Sequence, residues 1–210
     1  MSPFQLTIDA WANGDRIPAR FAFGKPGTDG PFALSDNISP AVRWDNPPPG
    51  TRSFAIVVVD PDVPSSGEDV NQAGKQVPAD LPRVEFFHWL LIDLPASTEG
   101  LEEGAASNGV TPKGKPVGPS CTGLAGRNSY TDWFAGDADM GGTYGGYDGP
   151  CPPWNDSIMH HYHFQLFALD VETLGLDGPF TPDDARKAMA DHILAESSWM
   201  GTYTMNPSVE

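Results

Sequence analysis

Three of the chain's five histidines fall within four residues, in "HHYHF" (160–164), shortly after the proline-rich "GYDGPCPPW" (146–154). Clustered imidazoles can ligate a metal, move protons or donate hydrogen bonds to an anion. In "FFHWLL" (86–91) His88 stands among large apolar residues, where a buried imidazole needs a partner. "DPDVP" (60–64) offers Asp60 and Asp62 around Pro61, and a residue before proline is held extended. A carboxylate such as Asp60 could hold one ring nitrogen of His88 and leave the other free. The plainer readings are aspartates that only cap a turn and a core histidine satisfied by its surroundings.

The elements that must position these groups read as strands. "RSFAIVVVD" (52–60) and "FFHWLLIDL" (86–94) are apolar on both faces, as buried central strands are, and "HHYHFQLFALDV" (160–171) reads as a third. Side chains alternate along a strand. Parity therefore groups Phe54, Ile56, Val58 and Asp60 on one face; Phe86, His88, Leu90, Ile92 and Leu94 on another; and His160, Tyr162, Phe164, Leu166 and Ala168 on a third. If these strands are neighbours, Asp60, His88, His160 and Tyr162 meet at one pocket, with Asp62 joining from the turn. His161 and His163 point the other way, which argues against a three-histidine metal centre within the run. A two-histidine, two-aspartate set (His88, His160, Asp60, Asp62) is chemically acceptable for zinc or manganese, but its spacing matches no local zinc signature, and no metal or other cofactor is expected.

One helix is expected near the C-terminus, in "TPDDARKAMADHILAESSW" (181–199), with Thr181 as N-cap, Pro182 at the first helical position and acids in the first turn. Its packed stripe would run through Ala185, Ala188, Met189, His192, Ile193 and Glu196. The segments 64–82 and 131–146 read as extended loops, longer than ordinary connections. "GPSCTG" (118–123) is not a nucleophile elbow, because its second glycine comes one position late. "DADMGGTYGGYD" (137–148) resembles a calcium loop only at its first, third and sixth positions. The two cysteines, Cys121 and Cys151, read as free thiols rather than a disulfide pair.

Composition bounds the function. Acidic residues outnumber basic ones 28 to 12, for a formal charge of −16, which opposes nucleic-acid binding and polybasic membrane docking. No apolar run is long enough for a membrane-spanning helix, so no integral membrane association is expected. No secretory signal is visible, which makes the cytoplasm the expected location. The 210 residues suit a single domain over 1–210, and 22 prolines and 23 glycines spread along it suit short strands and long turns.

Taken in order, these stretches resemble the phosphatidylethanolamine-binding proteins, which include the bacterial Raf-kinase-inhibitor-like proteins. "RIPARF", "NISPAVRWDNPPPGTRSFAIVVVDPDVP", "FFHWLLIDLP", "GYDGPCPP" with "HHYHFQLFALD", and "DHILAESSWMGTY" are similar to successive blocks of that family. The resemblance implies a mainly β fold: a large central sheet, a smaller second sheet and peripheral helices including a C-terminal one. It also implies a small anion pocket for phosphate or phosphoryl headgroups, built from Asp60, Asp62, Phe86, His88, Gly149, Pro152, His160 and Tyr162. A non-enzymatic binding protein follows, with a kinase or protease as the kind of partner it would regulate and a homodimer left open. Two other readings stand beside it: hydrolysis by metal-assisted or acid–base use of the Asp/His cluster, and an interaction module working through its long acidic loops. Here His161 stands where the family has arginine, and Asp148 where bacterial relatives have glycine.

Overall fold

The computed structural model describes residues 2–120 and 122–209. Its strands are β1 (Gln5–Thr7), β2 (Gly24–Lys25), β3 (Ala33–Leu34), β4 (Val42–Asp45), β5 (Ser53–Pro64), β6 (Arg83–Pro95), β7 (Gly100–Leu101), β8 (Gly118–Pro119), β9 (Leu124–Ala125), β10 (His160–Leu169) and β11 (Ile193–Tyr203). The α-helices are α1 (Tyr130–Trp133) and α2 (Pro182–Met189). Antiparallel pairing builds a six-stranded sheet in the order β11-β10-β5-β6-β9-β8, a smaller sheet β1-β4-β7, and the hairpin β2-β3. This is the mainly β architecture expected. None of the described helices is long and apolar enough to cross a membrane.

The three apolar runs are adjacent at the centre of the large sheet, with β5 between β10 and β6. Both faces of β5 are covered, so its sequence need not alternate with polar residues. Phe54, Ile56 and Val58 pack with Leu6, Val42 and Trp44 of the smaller sheet. Ala55, Val57 and Val59 pack with Phe180 and with Ala185 and Met189 of α2.

Strict alternation fails in β6. Val58 pairs with Trp89, but the next residue, Val59, pairs with Phe87. His88 is thus an extra residue, a β-bulge of the kind that re-aims a side chain beside a site. Trp89 and Leu91 join the core under the smaller sheet, whereas Phe87, Leu90 and Ile92 join the core under α2. The expected stripe of Phe86, His88, Leu90, Ile92 and Leu94 is therefore split. A second irregularity, between Phe54 and Ile56, restores Leu94 to the first core.

The C-terminal helix is shorter than the sequence suggests. Thr181 accepts from the Asp184 backbone N–H while the Asp184 side chain accepts from that of Thr181, a complete capping box, with Pro182 in the first turn. The helix stops at Met189, and "ILAESSWMGTY" becomes β11. The reason is tertiary: β10 presents a long edge, and β11 pairs with it from Tyr203 opposite His160 to Ala195 opposite Ala168. Hence only Ala185 and Met189 of the expected stripe are buried in α2. His192 lies beyond the helix, its Nδ1 2.8 Å from the Asp170 carboxylate.

Both long connections are organised by side chains. Asn155 Nδ2 donates to the carbonyls of Asp69, Gln72 and Lys75, and its Oδ1 accepts from the Asn71 N–H. The second loop opens with α1, and Asp137 accepts the backbone N–H groups of Asp139 and Met140. Asp137 is thus a turn cap.

Candidate functional site

Asp60 ends the buried part of β5, and His160 begins β10 beside it. His160 Nδ1 lies 2.7 Å from Asp60 Oδ2, and its Nε2 lies 3.1 Å from Asp156 Oδ2. Arg83, at the start of β6, closes the row with two hydrogen bonds to Asp156, at 2.6 and 3.0 Å. Burial works against charge on His160, but hydrogen bonds to Asp156 and Asp60 outweigh it and raise its pKa to about 9. Burial likewise opposes ionisation of Asp156, yet bonds from His160 and Arg83 hold its carboxyl below the ordinary value. His160 is therefore an imidazolium with both N–H groups engaged, locked between two carboxylates.

His88 is arranged differently. Its Nδ1 lies 2.7 Å from the Asp148 carbonyl oxygen, and the Asp148 N–H donates back to the His88 carbonyl at 2.9 Å. A carbonyl can only accept, so Nδ1 carries the hydrogen. The orienting group is this backbone carbonyl rather than the Asp60 carboxylate expected from sequence, because Asp60 is held by His160. Burial lowers the His88 pKa, more than Asp60 and Asp148 raise it, and the ring is neutral. Its Nε2 is buried and has no hydrogen-bond partner among the described residues. The rings of Phe86, Tyr130 and Tyr162 surround it with centroids 5.0, 5.7 and 5.1 Å away.

The Asp148 carboxylate takes no place at the pocket. It is fully buried, accepts from Asn37 and Asn128, each at 2.9 Å, and pairs with Lys115. The unexpected acid is thus neutralised inside the wall and serves to fix the carbonyl that orients His88.

A cavity of about 320 Å³ opens beside these groups, with Asp60, Phe86, His88, Pro152, His160 and Tyr162 in its wall. Phe23, Tyr130, Phe134 and Trp154 make the wall largely aromatic. Tyr162 is buried, its hydroxyl has no partner among the described residues, and burial with the nearby Asp60 pushes its pKa well up. Cys151 also lines the cavity, with burial raising its thiol pKa to about 12; Cys121 lies outside the described residues.

Two of the expected site residues stand apart from the wall. Gly149 lies behind it: its N–H donates to Asn37 Oδ1 at 2.8 Å and its carbonyl accepts from the Tyr130 hydroxyl at 2.8 Å. Asp62 turns to His161, whose backbone N–H and Nδ1 lie 2.9 and 2.8 Å from its Oδ2. The cause is a register irregularity between Asp60 and Val63, where Pro61 has no N–H to pair. His88, His160, Asp60 and Asp62 therefore do not converge on one point, and no metal-binding cluster of three or more His, Cys, Asp or Glu occurs among the described residues.

The family model for phosphatidylethanolamine-binding proteins matches residues 7–204. The chain belongs to the phosphatidylethanolamine-binding protein family. A UPF0098 protein of Methanothermobacter thermautotrophicus is 31% identical over 198 residues, covering 94% of this chain and 97% of that one. The UPF0098 protein YbhB of Escherichia coli is 33% identical over 165 residues, covering 79% and 77%. Among solved structures, the phosphatidylethanolamine-binding protein homologue CT736 of Chlamydia trachomatis aligns with a TM-score of 0.63 at 26% identity, covering 95% and 96% of the two chains. Escherichia coli YbcL aligns with a TM-score of 0.67 at 24% identity, covering 97% and 99%, a likeness of fold.

Within this phosphatidylethanolamine-binding protein fold, several groups escaped sequence reading. Asp156 precedes His160 by four residues, a spacing that could have flagged it had the segment between them been read as a turn. Arg83, Asn37, Asn128, Lys115 and Tyr130 reach the site from distant parts of the chain, and no local pattern announces them.

Proposed function

We propose that this chain is a non-enzymatic binding protein whose cavity takes a small anion of the phosphate or phosphoryl-headgroup class. The observation that carries this reading is the pair of buried, unpartnered polar atoms at the cavity, Tyr162 Oη and His88 Nε2. Buried polar groups in folded proteins are nearly always hydrogen-bonded, so a ligand that satisfies both is favoured. A phosphoryl group offers acceptor oxygens to the tyrosine O–H and, when protonated, an O–H to the imidazole lone pair. The aromatic wall suits the organic part of a headgroup, including an ammonium, which is attracted to ring faces.

In this reading Asp60, Phe86, His88, Pro152, His160 and Tyr162 form the binding wall, and Gly149 shapes it from behind. Asp62 supports the turn through His161. His160 acts by holding Asp60 and Asp156, since neither of its nitrogens is free.

The acid–base alternative draws on the same His88, whose oriented ring and free Nε2 have the form of a general base. Binding is preferred because, among the described residues, the other ionisable groups of the wall are engaged or poorly ionised: Asp60 and His160 bond each other, and burial raises Tyr130, Tyr162 and the Cys151 thiol. Thermal denaturation separates the two readings. Inorganic phosphate or phosphorylethanolamine at millimolar concentration should raise the melting temperature, and Tyr162→Phe should remove most of that rise. No rise with either compound would sink the binding reading. Turnover of a phosphoester, lost in His88→Ala, would support the alternative.

A further inference from the structure

The cavity has an unusual charge inventory for an anion site. On β5 and β10, the Asp60 carboxylate and the His160 imidazolium face it, and behind them Asp156 pairs with both His160 and Arg83. Two carboxylates and two cations cancel. From the loop before β10, Asp148 is cancelled by Lys115. The wall therefore supplies no uncompensated positive charge, and both N–H groups of its one imidazolium are engaged.

Among the buried side chains of the wall, Tyr162 is free to donate to an anion and His88 is not, while Asn71, Trp133 and Trp154 bring only uncharged N–H groups nearer the rim. With Nδ1–H fixed on the Asp148 carbonyl, the neutral ring keeps an unpartnered lone pair at Nε2, in a residue that lines the cavity. An anion oxygen at that nitrogen meets repulsion unless a proton lies between them. We propose that the cavity binds an anion together with one proton, taken up at His88 Nε2. The step is balanced: neutral His88, a dianion and one proton give an imidazolium–anion pair, with no bond other than N–H formed. A protonated His88 donates through both nitrogens, to the Asp148 carbonyl and to the anion, as a charge-assisted bond.

The other titratable groups around His88 leave it as the one that responds near neutral pH. Tyr130 on α1 and Tyr162 on β10 are pushed well up by burial, and the Cys151 thiol is raised to about 12. His160, raised to about 9, is already protonated there. Asp60 and Asp148 face the ring as a hydrogen-bonded carboxylate and a carbonyl. They become better partners of His88 once it is charged.

This inference rests on the anion-binding reading, and the probe is chosen to tell the two apart. Sulfate remains a dianion throughout the working range, so a proton bound with it must sit on the protein. Isothermal titration of the intact chain with sulfate, in buffers of different ionisation enthalpy, should show uptake of about one proton per sulfate at pH 8. Affinity should fall about tenfold per pH unit between about pH 7 and 8. His88→Gln, which keeps an N–H donor that does not titrate, should bind sulfate without that pH dependence. Sulfate binding by the wild-type chain without proton uptake would overturn the proposal while leaving the anion site standing, as would the same pH slope in His88→Gln. Binding of phosphate but not of sulfate would place the proton on the ligand and also overturn it. Failure of both anions to bind at any pH would remove the anion-binding reading itself, and the inference with it.

Discussion

His160 Nδ1 stands 2.7 Å from Asp60 Oδ2, and neither side chain reaches solvent. The contact joins the end of the buried part of β5 to the start of β10, and Asp156 and Arg83 continue it to β6. Three central strands of the sheet are thus tied at the cavity by alternating charges. An ion pair taken from water is held together only when each member stays paired, so the row behaves as a unit.

The raised pKa of His160 has a definite consequence for stability. The folded state binds its proton more tightly, with the pKa moving from 6.5 to about 9. The stabilisation is therefore complete below about pH 6.5 and is lost as pH rises toward 9. It is worth a few kcal/mol, since each tenfold gain in proton affinity contributes about 1.4 kcal/mol. Urea denaturation at pH 6 and pH 9 should show this loss in the wild-type chain and not in His160→Asn. An equal loss in both would assign the effect to other groups.

Lys115 and Asp148 form a pair inside the wall, their side chains 13% and 0% exposed. Removing the lysine alone, as Lys115→Met, leaves a buried carboxylate with two amide donors and should cost about 3–5 kcal/mol. Adding Asp148→Asn should recover part of that loss. A double-mutant cycle by chemical denaturation measures the coupling, and additive single effects would show that none exists.

Gly149 has no room for a side chain. A Cβ there would stand 1.9 Å from the Phe21 carbonyl oxygen, so the backbone must shift and disturb its bonds to Asn37 and Tyr130. Gly149→Ala should destabilise the fold by about 1–3 kcal/mol, in the range of overpacked cores. An unchanged melting temperature would mean that this segment yields without strain.

Sequence alone determined the three central strands, because runs such as Ala55–Val59 can be buried only between two covered faces. Strand parity, which survives along β5 and β10, puts Asp60, His160 and Tyr162 on one wall once these strands are neighbours, whereas His88 reaches that wall through the bulge in β6. The N-terminus of α2 was legible too, because Thr181, Pro182 and Asp184 act within one turn.

Only the tertiary structure decided where α2 ends, since the pull of the β10 edge on 193–203 is a long-range pairing. It also decided the partners within the site. The bulge at His88, the turn of Asp62 toward His161, and the row from Asp60 to Arg83 depend on register between strands, which alternation within one strand does not encode. For the two histidines this difference is chemical. His88 and His160 line one cavity, where packing left one neutral with a free nitrogen and the other charged with none.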